Sequence, residues 1–294
     1  MANNLLTLLP FLLVLFLLFS LSNANYDIDT IKRLKGSHKG AKVQGLHDLK
    51  LYLARFGYLN YQHNPNHTNP ENDVHVFDQE LETALKSYQN FYHLNVSGTL
   101  DGPTVSQMIM PRCGHPDTKT SHIHGTKLYQ FYRRSPRWPL SKRLITFAFG
   151  GDYPDEYVSP VLRAFNKWSS ASSRHFRFYK VEDVTKADLR ISIESGDHGD
   201  GSSFAQNIVA HAFPPTDGRF HYNADENWSP GPQPVRGAFD LETVAVHEIG
   251  HLLGLWHSDD EGAAMYSAIP SGVVKGLNID DIRGIRALYG LRNV

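Results

Sequence analysis

Cysteine is almost absent from this chain of 294 residues: Cys113 is the only one, so no disulfide can form within the chain. An excess of one charge is absent too, because 29 basic and 30 acidic residues leave a formal net charge of −1. Such a chain has no overall field that attracts nucleic acid or an anionic membrane, and we expect neither partner. Beyond residue 24 there is no long apolar run, so no membrane-spanning segment is expected. Hydrophobic content of 41% still suffices for a packed core.

The first 24 residues have a composition of their own. Leucine and phenylalanine dominate positions 5–21, and the small residues Ser22 and Ala24 precede position 25. An apolar run of this length before small residues predicts a secretory signal peptide at 1–24, and therefore an extracellular protein. A transmembrane anchor is the alternative, but the run is short for crossing a bilayer and is interrupted by Pro10.

Residues 40–110 show the apolar spacing of helices. The 3.6-residue repeat predicts three of them, over 41–59, 78–94 and 101–108, and Asp78 is placed to cap the second. Together they predict a compact helical bundle. The bundle residues carry no motif of their own that indicates catalysis, so we interpret it as a helper domain.

A different pattern begins at Leu144. A β-rich run at 144–149 is followed by an amphipathic helix at 155–170 and by two further strands at 176–181 and 189–193. This order predicts a twisted mixed sheet with a helix packed on it, so the fold class is α+β.

The strongest motif is His-Glu-Ile-Gly-His-Leu-Leu-Gly-Leu-Trp-His at 247–257. On a helix His247 and His251 are four positions apart and project from one face, so both can bind one zinc ion. Gly254 can adopt a positive φ, which lets the chain leave the helix and bring His257 round as a third ligand. Three protein ligands leave a fourth position open, as in a catalytic zinc site.

Glu248 lies beside the first histidine, where it can reach a water molecule at the metal and act as general base. Met265 follows eight residues after His257, where a methionine turn is needed beneath the ligands. The alternative is a degenerate site that binds zinc in an extracellular interaction protein without turning over substrate. The intact Glu248 argues against that alternative.

A second group of potential ligands precedes this motif and comprises His198, Asp200, His211 and His221. Three imidazoles and one carboxylate make a closed set of four, which is typical of a structural zinc site. We therefore predict two zinc ions per chain, one catalytic and one structural. Surface histidines that bind nothing are the alternative.

Cys113 lies at the centre of Pro111–Asp117, a segment that two prolines and a glycine keep extended. Its side chain can be a buried apolar group, a reactive thiol or a metal ligand. As a ligand it would fill the open zinc position and silence the enzyme. Arg112 and Asp117 flank it with opposite charges, either as a salt bridge that fixes the segment or as a solvated pair.

Taken together, these residues resemble the plant-type matrix metalloproteinases, the matrixins of the metzincin clan. Pro-Arg-Cys-Gly-x-Pro-Asp at 111–117 resembles the family's cysteine switch, and Asp280-Asp281 with Leu288-Tyr289-Gly290 resembles its last helix. The resemblance implies a propeptide at 25–128, with a small three-helix peptidoglycan-binding-like domain, and a metzincin catalytic domain at 129–294. That domain would hold a twisted mixed sheet of five strands with three helices.

The resemblance also implies a function: a secreted, monomeric zinc endopeptidase of the extracellular matrix, apoplast or cell wall. It would be made as a zymogen, cut by an activating protease near Leu128-Tyr129, and would then hydrolyse extracellular proteins or peptides. Asp188 and Glu226 would contribute to calcium binding. Sequons at Asn66, Asn95 and Asn227 are glycosylation acceptors if they are exposed.

One loop and four single residues depart from the family pattern. The loop Phe204-Ala205-Gln206-Asn207 is shorter than usual and lacks an aspartate that helps hold calcium, and Asn223 stands where another aspartate is expected. Ser267 replaces a proline and Ile269 an aromatic residue, both in the wall of the substrate pocket. Trp256, inside the zinc motif, is bulkier than usual. None of these changes removes a catalytic group.

Overall fold

The computed structural model describes residues 25–60, 74–117, 136–233 and 235–292. The predicted signal peptide, the sequon at Asn66 and the cleavage site near Leu128 therefore lie outside the described residues. Within the described residues no helix is both long enough and apolar enough to cross a lipid bilayer.

The N-terminal domain contains four helices among its described residues: α1 (Ile28–Arg33), α2 (Leu46–Arg55), α3 (Gln79–Phe91) and α4 (Gly102–Met108). Asp78 caps α3 as predicted, since its carboxylate accepts a hydrogen bond from the Leu81 N–H at 2.7 Å. The short helix α1 was not predicted. The bundle core contains aromatic residues that meet edge to face, such as Tyr52 and Phe56, with ring centroids 4.8 Å apart.

Six strands form the main sheet: β1 (Arg112–Cys113), β2 (Leu144–Phe149), β3 (Arg177–Lys180), β4 (Leu189–Glu194), β5 (Ile208–Ala212) and β6 (Arg219–Asn223). Their spatial order is β1-β5-β6-β4-β2-β3. Only the pair β5–β6 is antiparallel. The strands β2–β6 are the predicted mixed sheet of five, and β1 extends it with the residues around Cys113.

Three helices and two short strands complete the described part of the C-terminal domain beside the sheet. The helices are α5 (Asp155–Ala171), α6 (Leu241–Leu252) and α7 (Ile279–Tyr289), and the strand β7 (Trp228–Ser229) pairs with β8 (Phe239–Asp240). Helix α6 carries the zinc motif and is almost wholly buried between the sheet and α5. The Trp168 indole of α5 donates a hydrogen bond to the Val246 carbonyl at 2.8 Å. The motif is therefore held on a rigid core helix.

One hydrophobic cluster crosses the boundary between the two domains. It contains bundle residues such as Tyr52, Phe56 and Leu85 together with Phe204, Ile208 and Tyr266 of the C-terminal domain. Burial of this shared apolar surface stabilises the contact between the two domains.

The short loop Phe204-Ala205-Gln206-Asn207 supplies much of this contact. The Asn207 side chain accepts a hydrogen bond from the Tyr26 hydroxyl at 2.7 Å and donates to the carbonyls of Met108 and Met110, both at 3.1 Å. The Ile28 N–H donates to Gln206 at 2.9 Å. The loop that departs from the family pattern is therefore built to hold the N-terminal bundle.

Candidate active site

Two glycines shape the turn that brings the motif histidines together. Gly254 has φ +96°, as the sequence predicted, and a Cβ at this position would overlap the Pro136 carbonyl. Gly250 lies inside α6, where a Cβ would overlap the Met265 sulfur. Met265 is buried and approaches the helix at this point, so a larger residue at 250 would displace the Met265 side chain. The sequence analysis missed this role of Gly250.

The structure brings four predicted ligands together. The Nε2 atoms of His247 and His251 are 3.2 Å apart, and the Cys113 sulfur is 3.6 Å from His251 Nε2. One donor atom from each of these residues and from His257 lies within 4.8 Å of the others, and all four are buried. A tetrahedral zinc ion with nitrogen ligands at about 2.0–2.1 Å and sulfur at about 2.3 Å sets its ligands roughly 3.3–3.6 Å apart. The donor set fits zinc.

The other ring nitrogen of each histidine fixes its orientation. His247 Nδ1 is 2.7 Å from the Ala264 carbonyl, and His251 Nδ1 is 2.9 Å from the Leu255 carbonyl. A carbonyl only accepts hydrogen bonds, so each Nδ1 carries the proton and each Nε2 keeps a lone pair for a metal. His257 Nε2 is buried and has no hydrogen-bond partner among the described residues, as expected of an atom that binds a metal.

Glu248 is fully buried beside these ligands. Apart from an interaction with the Cys113 thiol, its carboxylate oxygens have no hydrogen-bond partner among the described residues. Burial raises the pKa of Glu248 to about 8 in this closed state. A carboxylate that the C-terminal domain leaves unpartnered at a metal site is placed to exchange a proton rather than to stabilise the structure.

Arg112 and Asp117 form the salt bridge that the sequence left as one of two possibilities. Arg112 Nη2 lies 2.6 Å from Asp117 Oδ1, and both side chains are buried. Arg112 makes four further polar contacts, donating to the carbonyls of Cys113 and His115, the Tyr92 hydroxyl and the second oxygen of Asp117. Its guanidinium also lies 3.4 Å from the centroid of the Phe56 ring. Arg112 and Asp117 are therefore a buried salt bridge and not a solvated pair of charges.

Asp117 has a second partner that the sequence analysis missed. His257 Nδ1 lies 2.8 Å from Asp117 Oδ1, so a carboxylate of the N-terminal segment orients the third zinc-ligand histidine. Asp117 also accepts hydrogen bonds from the hydroxyls of Tyr58 and Tyr92, both at 2.8 Å. The charge of Arg112 and the contact with His257 hold the pKa of Asp117 well below its usual range despite its burial.

The second ligand group also converges. Asp200 Oδ2 lies 2.9 Å from His198 Nε2, 2.8 Å from His211 Nε2 and 2.9 Å from His221 Nδ1. His211 and His221 face each other across β5 and β6. Hydrogen bonds from His211 and His221 hold the pKa of Asp200 well below its usual range despite burial. Four donors from two strands and a loop make a closed set that fits a structural zinc, not scattered surface residues.

The two calcium candidates are held differently. Asp188 accepts hydrogen bonds from Lys142 at 2.7 Å and from the Thr146 N–H at 2.8 Å. Glu226 is half-buried, and burial and then Asp225 raise its pKa. Among the described residues, neither carboxylate belongs to a cluster of three or more His, Cys, Asp or Glu side chains that could hold a metal. Asn223 is occupied too, since its amide donates to the Ile208 carbonyl at 2.8 Å.

Comparison with known proteins identifies the domains. A model of the matrixin peptidase family matches residues 137–290, and a model of the putative peptidoglycan binding domain matches residues 42–108. The chain belongs to the matrixin family. It is 39% identical to Metalloendoproteinase 2-MMP of Arabidopsis thaliana over 291 residues, covering 89% of this chain and 75% of the relative. It is 39% identical to Metalloendoproteinase 1 of Glycine max over 280 residues, covering 90% and 88%.

Membership of this family makes the protein a zinc-dependent metalloendopeptidase that acts on protein substrates. The fold prediction is confirmed: a mixed sheet with helices follows a small helical domain of the peptidoglycan-binding type. Which residues of this matrixin bind zinc or calcium, and whether Asn95 and Asn227 carry glycans, stay predictions. Asn95 and Asn227 are both exposed.

Metal analysis tests the ligand sets. We expect two zinc ions per chain in the purified proform and one in His211→Ala, because removing one of four donors opens the second site. His175→Ala is the control and should retain both ions, since His175 belongs to neither group. Atomic emission gives the ratio of zinc to protein. A ratio of one in the wild-type protein would remove the structural site.

Proposed function

We propose that this matrixin is secreted as a latent zymogen in which Cys113 occupies the fourth ligand position of the catalytic zinc. The observation that carries the proposal is the meeting of the Cys113 sulfur with the three motif histidines in one buried group. Strand β1 holds the segment in place, because Arg112 and Cys113 pair with Ile208 and Ala210 of β5. The Cys113 N–H also donates to the Ser267 carbonyl at 2.9 Å.

The latent state prevents hydrolysis in two ways. The thiol fills the place where water would act, and β1 covers the edge of β5 that would otherwise pair with extended substrate. Burial raises the pKa of the Cys113 thiol above its usual range. A zinc ion in this position opposes that effect, since a coordinating thiol is deprotonated outright. Latency in this proposal therefore requires the metal as well as the fold.

Hydrolysis would begin once the propeptide leaves. His247, His251 and His257 would hold the zinc, with Met265 as an apolar floor beneath them. When bound, zinc supplies Lewis acidity, which polarises the scissile carbonyl and makes the attacking water acidic at neutral pH. Glu248 takes the proton of that water and passes it to the leaving amine nitrogen. The exposed edge of β5 around Val209 and Ala210 holds the substrate main chain in extended form.

The signal-like leader supports secretion into the extracellular space, apoplast or cell wall, where an activating protease would cut near Leu128. The domain division that follows is 1–24 for the signal peptide, 25–128 for the propeptide and 129–294 for the catalytic domain. Substrates would be extracellular proteins.

A thiol reagent tests latency. We expect the purified proform to cleave a quenched peptide slowly and to gain at least tenfold in rate after an organomercurial modifies Cys113. The reason is that a modified sulfur no longer fills the fourth ligand position. Cleavage is followed by fluorescence. The matched control is Cys113→Ser, which should be active before the reagent is added and unchanged afterwards.

Two results would speak against this function. A proform that is already fully active would refute latency. A protein that contains zinc but cleaves no peptide, even after removal of the propeptide, would support the alternative of a silent extracellular zinc-binding protein.

A further inference from the structure

Trp256 forms part of the cleft wall next to the third motif histidine. Its side chain is only 3% exposed, because the segment Pro111–Asp117 covers it. The indole Nε1 donates a hydrogen bond of 2.6 Å to the main-chain carbonyl of Asp117. The contact is to the backbone of the covering segment, so it does not depend on the Asp117 side chain.

The ring of His115 lies in a space bounded by three other rings. Its centroid is 4.9 Å from the Trp256 ring and 4.6 Å from the His251 ring, at interplanar angles of 64° and 40°. The His257 ring lies at 6.2 Å and 88°. These separations are those of favourable edge-to-face and tilted ring pairs. In the closed state the ring of His115 therefore occupies the space between the rings of Trp256, His251 and His257.

Open space adjoins the ring of His115, although Trp256, His251 and His257 do not line it. A cavity of about 180 Å³ adjoins His115 and extends between Gly114 and the end of β5, where Phe213 and Ser202 contribute to its walls. His115 itself is only half-buried. The three rings that surround His115, those of Trp256, His251 and His257, belong to the catalytic domain, so they remain when the propeptide is removed.

We propose that Trp256 is a specificity-determining residue and that, with His251 and His257, it forms a subsite for a flat ring. In the latent chain the subsite holds His115. In the mature enzyme it takes an aromatic or histidine side chain of the substrate, while the indole N–H donates to the substrate main chain as it does to Asp117. The inference rests on the proposed function, because it requires substrate to replace the propeptide along β5.

The first test uses the full-length proform and does not measure activity. The rate at which a maleimide modifies Cys113 reports how often the covering segment opens. We expect His115→Ala to raise this rate two- to tenfold, which is the range that a ring pair of about 0.5–1.5 kcal/mol gives. His115→Phe should change it less than twofold. In a Trp256→Ala background the effect of His115→Ala should be smaller, because only the contacts with the two histidine rings remain, and an undiminished effect would overturn the inference.

The second test measures kcat/KM of the activated enzyme on peptides that carry Phe, Tyr, His, Leu or Ala at each position in turn. At one position we expect the wild-type enzyme to prefer rings to Leu two- to tenfold. Trp256→Phe should keep this preference, and Trp256→Ala and Trp256→Leu should lose it, with thermal unfolding showing which variants are folded. A wild-type enzyme that cleaves no peptide refutes the proposed function. One that cleaves without preferring rings at any position, or a folded Trp256→Leu that keeps the preference, refutes only the subsite.

Discussion

Replacing Glu248 by alanine or glutamine should lower kcat of the activated enzyme by about 10²–10⁴-fold, the usual contribution of a general acid–base group. The fold should tolerate both changes, because the buried carboxylate has no hydrogen-bond partner among the described residues of the catalytic domain. We therefore expect unchanged zinc content and an unfolding temperature no lower than that of the wild-type enzyme.

Glu242 on the same helix provides the matched control. Its carboxylate lies 2.7 Å from Lys167 and also pairs with Arg163, so it is a partnered structural group. Glu242→Ala should lower thermal stability slightly and leave kcat within twofold. If Glu248→Ala hydrolysed peptide at the wild-type rate, Glu248 would not be the general base, and another group would have to move the proton.

Replacing Asp117 by asparagine should release the propeptide without touching the thiol. The substitution leaves Arg112 buried without a counter-charge and weakens the contact with His257. Breaking a buried ion pair by removing one partner costs about 3–5 kcal/mol. We expect the unfolding free energy of the proform to fall by about this amount. Peptide cleavage by the uncut chain should rise as well, because a less stable closed state opens more often.

Asp29→Asn is the control for loss of a charge in the same domain. Asp29 pairs with Lys32 at 2.8 Å, but both side chains are largely exposed, so the expected change is about 0–1 kcal/mol. Urea unfolding of both proforms gives the two free energies. Equal values for Asp117→Asn and Asp29→Asn would show that the buried pair does not stabilise latency. Replacing both Arg112 and Asp117 by neutral residues measures their coupling directly.

Several elements were predictable because their signals are local. The alternation of Leu189, Ile191 and Ile193 predicted a strand at 189–193, and the observed β4 ends one residue later. The run 144–149 coincides with β2. The helix predicted at 41–59 is shorter in the structure, at 46–55, because Gly45 adopts a positive φ before its first turn. Helix α1 was missed: six residues are too few for a clear repeat, and part of its stability comes from packing of Ile28 and Ile31 into the bundle.

The calcium expectation shows the limit of reasoning from family patterns. The sequence shows that an aspartate is missing from the loop 204–207, but it does not show what the loop does instead. In the structure Asn207 and Gln206 bind the N-terminal bundle, and Phe204 enters the core that the domains share. The loop 204–207 therefore contacts a part of the chain that is distant in sequence.

The sequence by itself determined the zinc chemistry of this protein. His247, Glu248 and His251 lie on one helix, so helical geometry alone places their side chains, and Gly254 allows the turn to His257. Only the tertiary structure decided that Asp117 orients His257. The same holds for the hydrogen bond from Trp256 to the Asp117 carbonyl and for the contact between the Trp256 and His115 rings. In sequence, Asp117 is 139 residues from Trp256 and 140 residues from His257. No local periodicity records such a contact, because it exists only after both domains have buried a common surface.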